Sequence, residues 1–382
     1  MTSPVLAAAK MVDDLRAAAD DIEAARRIPE EWSSRFAQAG FYRLCVPEVY
    51  GGLEAPPTES MNVIETLARA DGSAAWVVFI GATSGSVLAY LPAESSREIF
   101  HNPEVMLAGV FAPRGVAIAV DGGFQVNGRW QWGSGTQNAD WVMGGCQVVR
   151  EGVTETMPNG APRSRMMLAP RGEIEFFDTW HASGLCGTGS TDFAISDRFV
   201  PESHAVGLAG GEPVQAPLYA FPQFGLLAMG IAAVTLGLAR AAIDELVELA
   251  DSKKPSGSGR SLANRPSTQA DVSSAEAMVR AARSFFYETI ESGYETAKVE
   301  GHMPVERRRE VRLATTHAVR ECAKAVDLMY HLAGGTSVYR RSPLQRIFRD
   351  VHVATQHMMV APAILELTGR LFLGLETDTS LL

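Results

Sequence analysis

Cysteine is scarce in this 382-residue chain, with only Cys45, Cys146, Cys186 and Cys322. They lie far apart, form no CxxC and do not group with histidine. That pattern excludes a disulfide framework and gives no metal-ligand set; it reads as reduced thiols in a cytoplasmic protein. A basic excess is also missing: 34 Lys and Arg face 44 Asp and Glu, a net charge of −10. Nucleic-acid partners need a basic footprint. The one basic run, Arg307-Arg308-Arg309, is flanked by Glu306 and Glu310 and reads as a solvated helix face. The opening "MTSPVLAAAKMVDDLRAAADD" has no apolar signal core. The apolar run Phe224–Ala239 is shorter than a membrane span, and Arg240, Asp244 and Glu245 follow it, so a buried bundle helix is expected and no membrane partner. No GxGxxG follows a strand, and there is no GxxxxGK[ST], no GxSxG and no acid–His–Ser set.

What is present is an ordinary globular composition, 46% hydrophobic and 20% charged, long enough to build a core without staples. Residues 1–105 carry apolar residues at helical spacing, as in "AAAKMVDDLRAAADDIEAAR" and "PEEWSSRFAQAGFYRL". The texture changes at 106. "VDGGFQVNGRW" alternates and contains both Asp-Gly and Asn-Gly, strong hairpin signals. "ADWVMGGCQVV", "RSRMMLAP", "IEFFDTW" and "TDFAISDRFVP" continue as short strands, so an antiparallel β unit is expected in 106–215. From 216 to 382 four long helices follow. "KKPSGSGRSLANRPS" is an exposed loop between the first two, and Pro362 kinks or breaks the last. The predicted plan is α+β: an N-terminal helical domain, a central β-barrel or sandwich, and a C-terminal four-helix bundle.

Two stretches stand out for chemistry. "RWQWGSGTQNADW" is a strand entering a Gly-Ser-Gly turn. Its glycines permit close approach of a flat ligand, Trp132 offers a wall, and the Ser134 hydroxyl can donate or accept. It also reads as a plain hairpin with a buried Trp. "RDVHVATQH" holds His352 and His357 five residues apart. On a continuous helix they fall on different sides, so the i, i+4 pair of a helical metal site is absent. His357 then shares a face with Asp350 and Val353, while Arg349 and Asp350 tie the helix down by a charge-assisted pair.

The order of the three blocks, together with "FAPRGVAIAVDGGFQVNGRWQWGSGTQNADWV" (111–142), "GLCGTGSTDFAISDRFVP" (184–201) and "GGTSVYRRSPLQRIFRDVH" (334–352), resembles the acyl-CoA dehydrogenase fold over essentially the whole chain. Within it the sequence is similar to the two-component flavin-dependent monooxygenases, the class of the steroid secophenol hydroxylases and dibenzothiophene monooxygenase. Three departures from the dehydrogenases carry that choice. Met358 stands where their catalytic Glu follows a Tyr, and a thioether cannot take a proton. The Arg-x-x-Phe-Gly element that grips an FAD pyrophosphate has no counterpart in "ADSKKPSGSGRSLANRPSTQADV". The segment "TEPEAGSD" is replaced by "FAPRGVAIAVDGG".

The resemblance implies an oxygenase that takes reduced flavin (FMN or FAD) from a separate NAD(P)H-dependent reductase. It would add dioxygen at flavin C4a and, through a hydroperoxyflavin, hydroxylate a small aromatic or phenolic substrate. It implies a homotetramer, Ser134 against flavin N5, and His357 as the base that takes a phenolic proton. Phe111, Ala112, Trp132, Thr188 and Ser190 would line the flavin. Gly334 and Gly335, which also read as a helix stop, would meet a neighbouring subunit's cofactor. His352, Phe221 and Phe224 would contact substrate, with Met229 and Tyr330 as further pocket candidates. The alternatives are an FAD dehydrogenase with its base moved to Asp244, Glu245 or Glu248, an N- or S-oxygenase of the same fold, and an inactive scaffold.

Overall fold

The structure, a computed structural model, describes residues 3–157, 160–207, 212–255 and 257–382. Six helices come first: α1 (Pro4–Ala17), α2 (Ala19–Ala25), α3 (Glu30–Gln38), α4 (Pro57–Ala68), α5 (Gly72–Gly85) and α6 (Ala93–Ile99). Helix α5 is apolar on nearly every side and sits inside the protein. Its free N-terminal amides find a buried acceptor, because the Asp71 carboxylate takes the Ala74 N–H at 2.8 Å.

The strands are β1 (Leu107–Val120), β2 (Gly123–Trp130), β3 (Trp141–Arg150), β4 (Val153–Thr154), β5 (Ser164–Pro170), β6 (Glu175–Phe177), β7 (Asp192–Pro201) and β8 (Ala205–Val206). They form one sheet in the order β6-β7-β2-β1-β3-β5-β8, with β4 beside β3. The expectation of a purely antiparallel unit is corrected here: β1 and β3 run parallel, and the sheet is mixed. The reason is the crossover. β2 pairs on one side of β1 and the chain returns through residues 131–140 to the other side, so β3 enters in the direction of β1. Of the two hairpin dipeptides, Asp121-Gly122 makes the turn between β1 and β2. Asn127-Gly128 sits inside β2, where the register with β7 shifts. Gly115, Gly128 and Gly144 leave room for the Trp130 ring, which a Cβ at any of them would strike within 2.6 Å. Trp130 is fully buried, stacks on Phe193, and donates its N–H to Gly145 O at 2.8 Å. It anchors the strand end from which the Gly-Ser-Gly turn departs.

The bundle follows: α7 (Gln223–Ser252), α8 (Pro266–Glu300), α9 (Val305–Ala333), α10 (Pro343–Ala354) and α11 (Pro362–Phe372). Small residues on α7 let its neighbours approach: Gly230 lies under the Phe79 ring and Gly237 against the backbone of Glu65. Two segments, Gly72–Tyr90 and Gln223–Ser252, are long and apolar enough to cross a membrane, and both are 94% buried within the fold. They are core helices. Part of the "GVTETMPNGAPRSR" loop (158–159) and Ser256 of the polar loop after α7 lie outside the described residues.

The last helix breaks, as Pro362 signals, but several residues ahead of it: into α10, a single 3-10 turn at Met358–Val360, and α11. His357 has φ −69° and ψ 132°, outside helical space. The helical alignment of His357 with Asp350 therefore fails. Pro362 opens α11 and pushes Ala361 to an extended conformation, which ends the helix early.

Candidate active site

The site grows from five elements. Strand β1 carries a large bulge, since the pairing with β3 shifts between Val110 and Gly115. Phe111, Ala112, Pro113 and Arg114 occupy it. Such bulges aim backbone and side chains away from the ladder. The Phe111 ring meets Phe224, at the start of α7, edge to face at 6.1 Å. Arg114 bonds Gln131 and lies 5.9 Å from the Trp132 ring. Trp132 has φ 63°, left-handed for a non-glycine residue, and is 65% exposed. A large indole held out in solvent on a strained backbone marks Trp132 as a candidate contact residue.

Ser134, Ser190 and Thr188 come together. Ser134 Oγ and Ser190 Oγ are 2.6 Å apart, as are Ser190 Oγ and Thr188 Oγ1. Thr188 donates to Leu185 O at 2.8 Å. Trp76, on α5, donates its indole N–H to Ser134 Oγ at 3.2 Å. These bonds fix the direction of the chain. Thr188 spends its only proton on the carbonyl, so Ser190 donates to Thr188 and Ser134 donates to Ser190. Ser134 Oγ accepts from Trp76 and keeps one lone pair free. It can face a ligand as an acceptor only.

Trp76 also lies 5.9 Å, ring to ring, from His357. The His357 Nδ1 accepts the Met359 N–H at 3.2 Å. The neutral ring therefore carries its proton on Nε2. Burial first, and then the nearby Arg312 charge, lower the His357 pKa to about 4. At neutral pH it is an uncharged imidazole with an Nε2 donor.

Arg349 and Asp350 do hold α10 in place, but not by pairing with each other. Arg349 bonds Glu23 on α2 at 2.8 Å. Asp350 accepts the Leu185 N–H at 2.6 Å, which pins the loop carrying Thr188 and Ser190. Burial and then the neighbouring Asp71 charge push Asp350 up to about 7.

Other candidates fall elsewhere. His352 bonds Asp327 on α9 at 2.8 Å and packs on Phe348, with no contact to His357. Phe221 is core, against Tyr294, and Met229 is fully buried. Tyr330 stacks on Phe348. Gly334 and Gly335 end α9 on the surface, Gly334 beside the Lys253 side chain and Gly335 facing open space. The dehydrogenase alternative loses its bases. Asp244 is paired with Arg69 and Arg240, Glu248 is exposed, and Glu245 lines a cavity of about 20 Å³ with Asp71 and Asp350. All three lie at least 20 residues beyond Phe224 on α7, about 30 Å along its axis.

Two residues of the site escaped sequence reading. Trp76 sat in an apolar helix, where a buried indole N–H always needs an acceptor. Arg312 follows the basic run but has helical spacing to the buried Thr315, Thr316 and Val319, which marks the inner face.

Residues 229–362 match the acyl-CoA dehydrogenase C-terminal domain family, and residues 7–98 its N-terminal domain family. The indole-3-acetate monooxygenase of Pseudomonas putida is 36% identical over 361 residues, covering 94% of this chain and 90% of the relative. The oxygenase subunit HsaA of a flavin-dependent monooxygenase from Rhodococcus jostii is 28% identical, covering 91% and 92%. Among solved structures, XiaF from a Streptomyces species, in complex with FADH2 and glycerol, superposes with a TM-score of 0.88 at 26% identity, covering 98% and 95%. Fold and site together define an oxidoreductase of the acyl-CoA dehydrogenase fold. The chain belongs to the flavin-dependent monooxygenases of that fold and is an enzyme that uses reduced flavin and dioxygen. The residues fit the cofactor: the free acceptor on Ser134 matches a reduced N5–H, and the exposed Trp132 supplies a flat wall beside it.

Proposed function

We propose that this protein is the oxygenase half of a two-component system that hydroxylates a small aromatic substrate with reduced FMN or FAD supplied by a separate NAD(P)H-dependent reductase. The observation that carries the reading is the acceptor-only state of Ser134. Reduced flavin presents an N5–H donor, whereas oxidised flavin presents an N5 acceptor, so this hydroxyl favours the form a reductase delivers and disfavours the spent form. The bound flavin supplies the two electrons and the oxygen activation; one oxygen atom enters the substrate and the other leaves as water.

The protein's own share is binding, orientation and dryness. Trp132 and the Phe111–Ala112 backbone hold the isoalloxazine, with Thr188 and Ser190 fixing Ser134 behind it. Trp76, Phe111 and Phe224 wall the substrate side and exclude water. His357 acts as a neutral donor through Nε2–H to a substrate oxygen rather than as a base. The Met359 contact to Nδ1 and the pKa of about 4 support this role. Aromatic substrates are supported by the name of the P. putida relative. A homotetramer in the cytoplasm belongs to the same reading, with exposed Val338 and Tyr339 beside Gly334 and Gly335 as a surface a second copy could cover.

The test is turnover under isotopically heavy dioxygen, with photoreduced flavin and indole-3-acetate or phenol as probe. One heavy oxygen atom in the product is expected. A protein that instead holds oxidised FAD and is bleached by an acyl-CoA sinks the proposal.

A further inference from the structure

Arg312, on α9, is fully buried. Among the described residues no carboxylate lies within ion-pair distance of it. Its guanidinium bonds neutral groups: Phe224 O at 3.3 Å and Met359 Sδ at 3.7 Å. Its Nε has no partner among the described residues. Burial lowers its pKa only to about 10, so it keeps its charge at neutral pH. A desolvated guanidinium without an anion is an unfavourable state, and buried charges are normally paired. Arg346, the other buried arginine among the described residues, follows that rule by reaching Asp20, and the half-buried Arg349 reaches Glu23. Arg312 departs from it, and it sits at the proposed substrate wall. Phe224, whose carbonyl it holds, faces Phe111. Met359, whose sulfur it touches, is two residues from His357.

We propose that Arg312 is the carboxylate anchor of the substrate site, and that the substrate is an aromatic carboxylate of the arylacetate type. The inference rests on the aromatic-substrate reading above and deepens it. The ring lies against Trp76, Phe111 and Phe224. The carboxylate supplies the anion that the guanidinium lacks, in the planar two-point geometry that arginine offers and lysine does not. That places the ring at a fixed distance from the flavin edge, so the anchor sets both selectivity and the position hydroxylated.

The test compares binding of indole-3-acetate with that of its uncharged amide, by calorimetry under anaerobic conditions with reduced FMN present. Loss of one partner of a buried charged pair costs roughly 30-fold or more in affinity. Wild-type protein should bind the acid at least about 30-fold more tightly than the amide. Arg312→Met should lose that discrimination while its amide affinity stays within about threefold and its thermal midpoint does not fall. Arg312→Lys should recover part of it. Equal binding of acid and amide by the wild type, or discrimination that survives Arg312→Met, overturns the anchor and leaves the aromatic reading standing. If neither probe binds the wild type, the aromatic reading itself falls, and the anchor with it. The acid–amide comparison on the wild type needs no variant, so it stands even if a substitution disturbs folding.

Discussion

The indole N–H of Trp76 and the hydroxyl of Ser134 form a 3.2 Å hydrogen bond between a core helix and the turn proposed to face the flavin. It sets the polarity of a side-chain relay. Because Trp76 can only donate, Ser134 must accept from it, and the Ser190–Thr188–Leu185 chain draws the serine's own proton the other way. A hydroxyl that is ambivalent in sequence becomes an acceptor in the fold. The same tryptophan touches His357, so one residue on α5 organises both sides of the site.

Replacing Ser190 with Ala should reverse this selectivity. Ser134 then has no acceptor for its proton and can turn it toward an oxidised N5. Affinity for oxidised flavin should rise and that for reduced flavin fall, narrowing their ratio about tenfold, the scale of one hydrogen bond made or lost. Equilibrium dialysis with each redox form reads this directly. An unchanged ratio would show that the relay does not set the polarity.

Asp350 supports the relay from behind through Leu185. Asp350→Asn keeps an oxygen acceptor and should hold flavin affinity within about threefold, whereas Asp350→Leu should weaken it about tenfold. The pH sign separates the two effects. The folded pKa of about 7 lies above the unfolded value of 3.8, so the native state holds a proton that the unfolded chain has lost. Stability from this group is present below about pH 4 and is lost as pH rises toward 7. Asp350→Asn should therefore gain stability relative to wild type across that interval, measured as the thermal midpoint at several pH values. A parallel shift at all pH values would contradict the assignment.

His357 produces the opposite slope. Its folded pKa of about 4 lies below the unfolded 6.5, so the unfolded chain binds the proton first. Stability falls as pH drops below about 6.5, and the loss is complete near 4. Allowing for partial exposure, the effect is about 1 kcal/mol per pH unit inside that window. His357→Asn should flatten it, as seen in denaturant midpoints between neutral and acidic pH. The same variant should lower hydroxylation while leaving flavin binding intact, as the donor role proposed for His357 requires.

The three-part fold was legible in the sequence because each part had its own period and punctuation. Asp121-Gly122 marked its hairpin, and the four helical runs of the bundle kept helical spacing. Family resemblance also singled out Ser134, Ser190 and Thr188, and the fold links their hydroxyls in one chain. What escaped was set by contacts distant in sequence. The parallel pairing of β1 with β3 depends on a crossover path and not on local pattern. His357 was placed on a helix because nothing in "HVATQHMMVAP" except Pro362 signals the extended break. Trp76 and Arg312 hid in an apolar run and a charged run, and each acquired its meaning from one partner more than 45 positions away. Arg349 and Asp350 were read as a mutual pair, and packing against α2 and the Leu185 loop gave each a separate partner.

The central claim is that Ser134 meets reduced flavin as an acceptor. The most direct measurement is the pair of anaerobic dissociation constants of the wild-type protein for reduced and oxidised FMN, repeated with Ser134→Ala. The account predicts that wild type binds the reduced form at least about tenfold more tightly, the scale of one unsatisfied buried polar contact, and that Ser134→Ala removes the preference. Equal affinity for the two forms in the wild type, or a preference that Ser134→Ala leaves untouched, would contradict it.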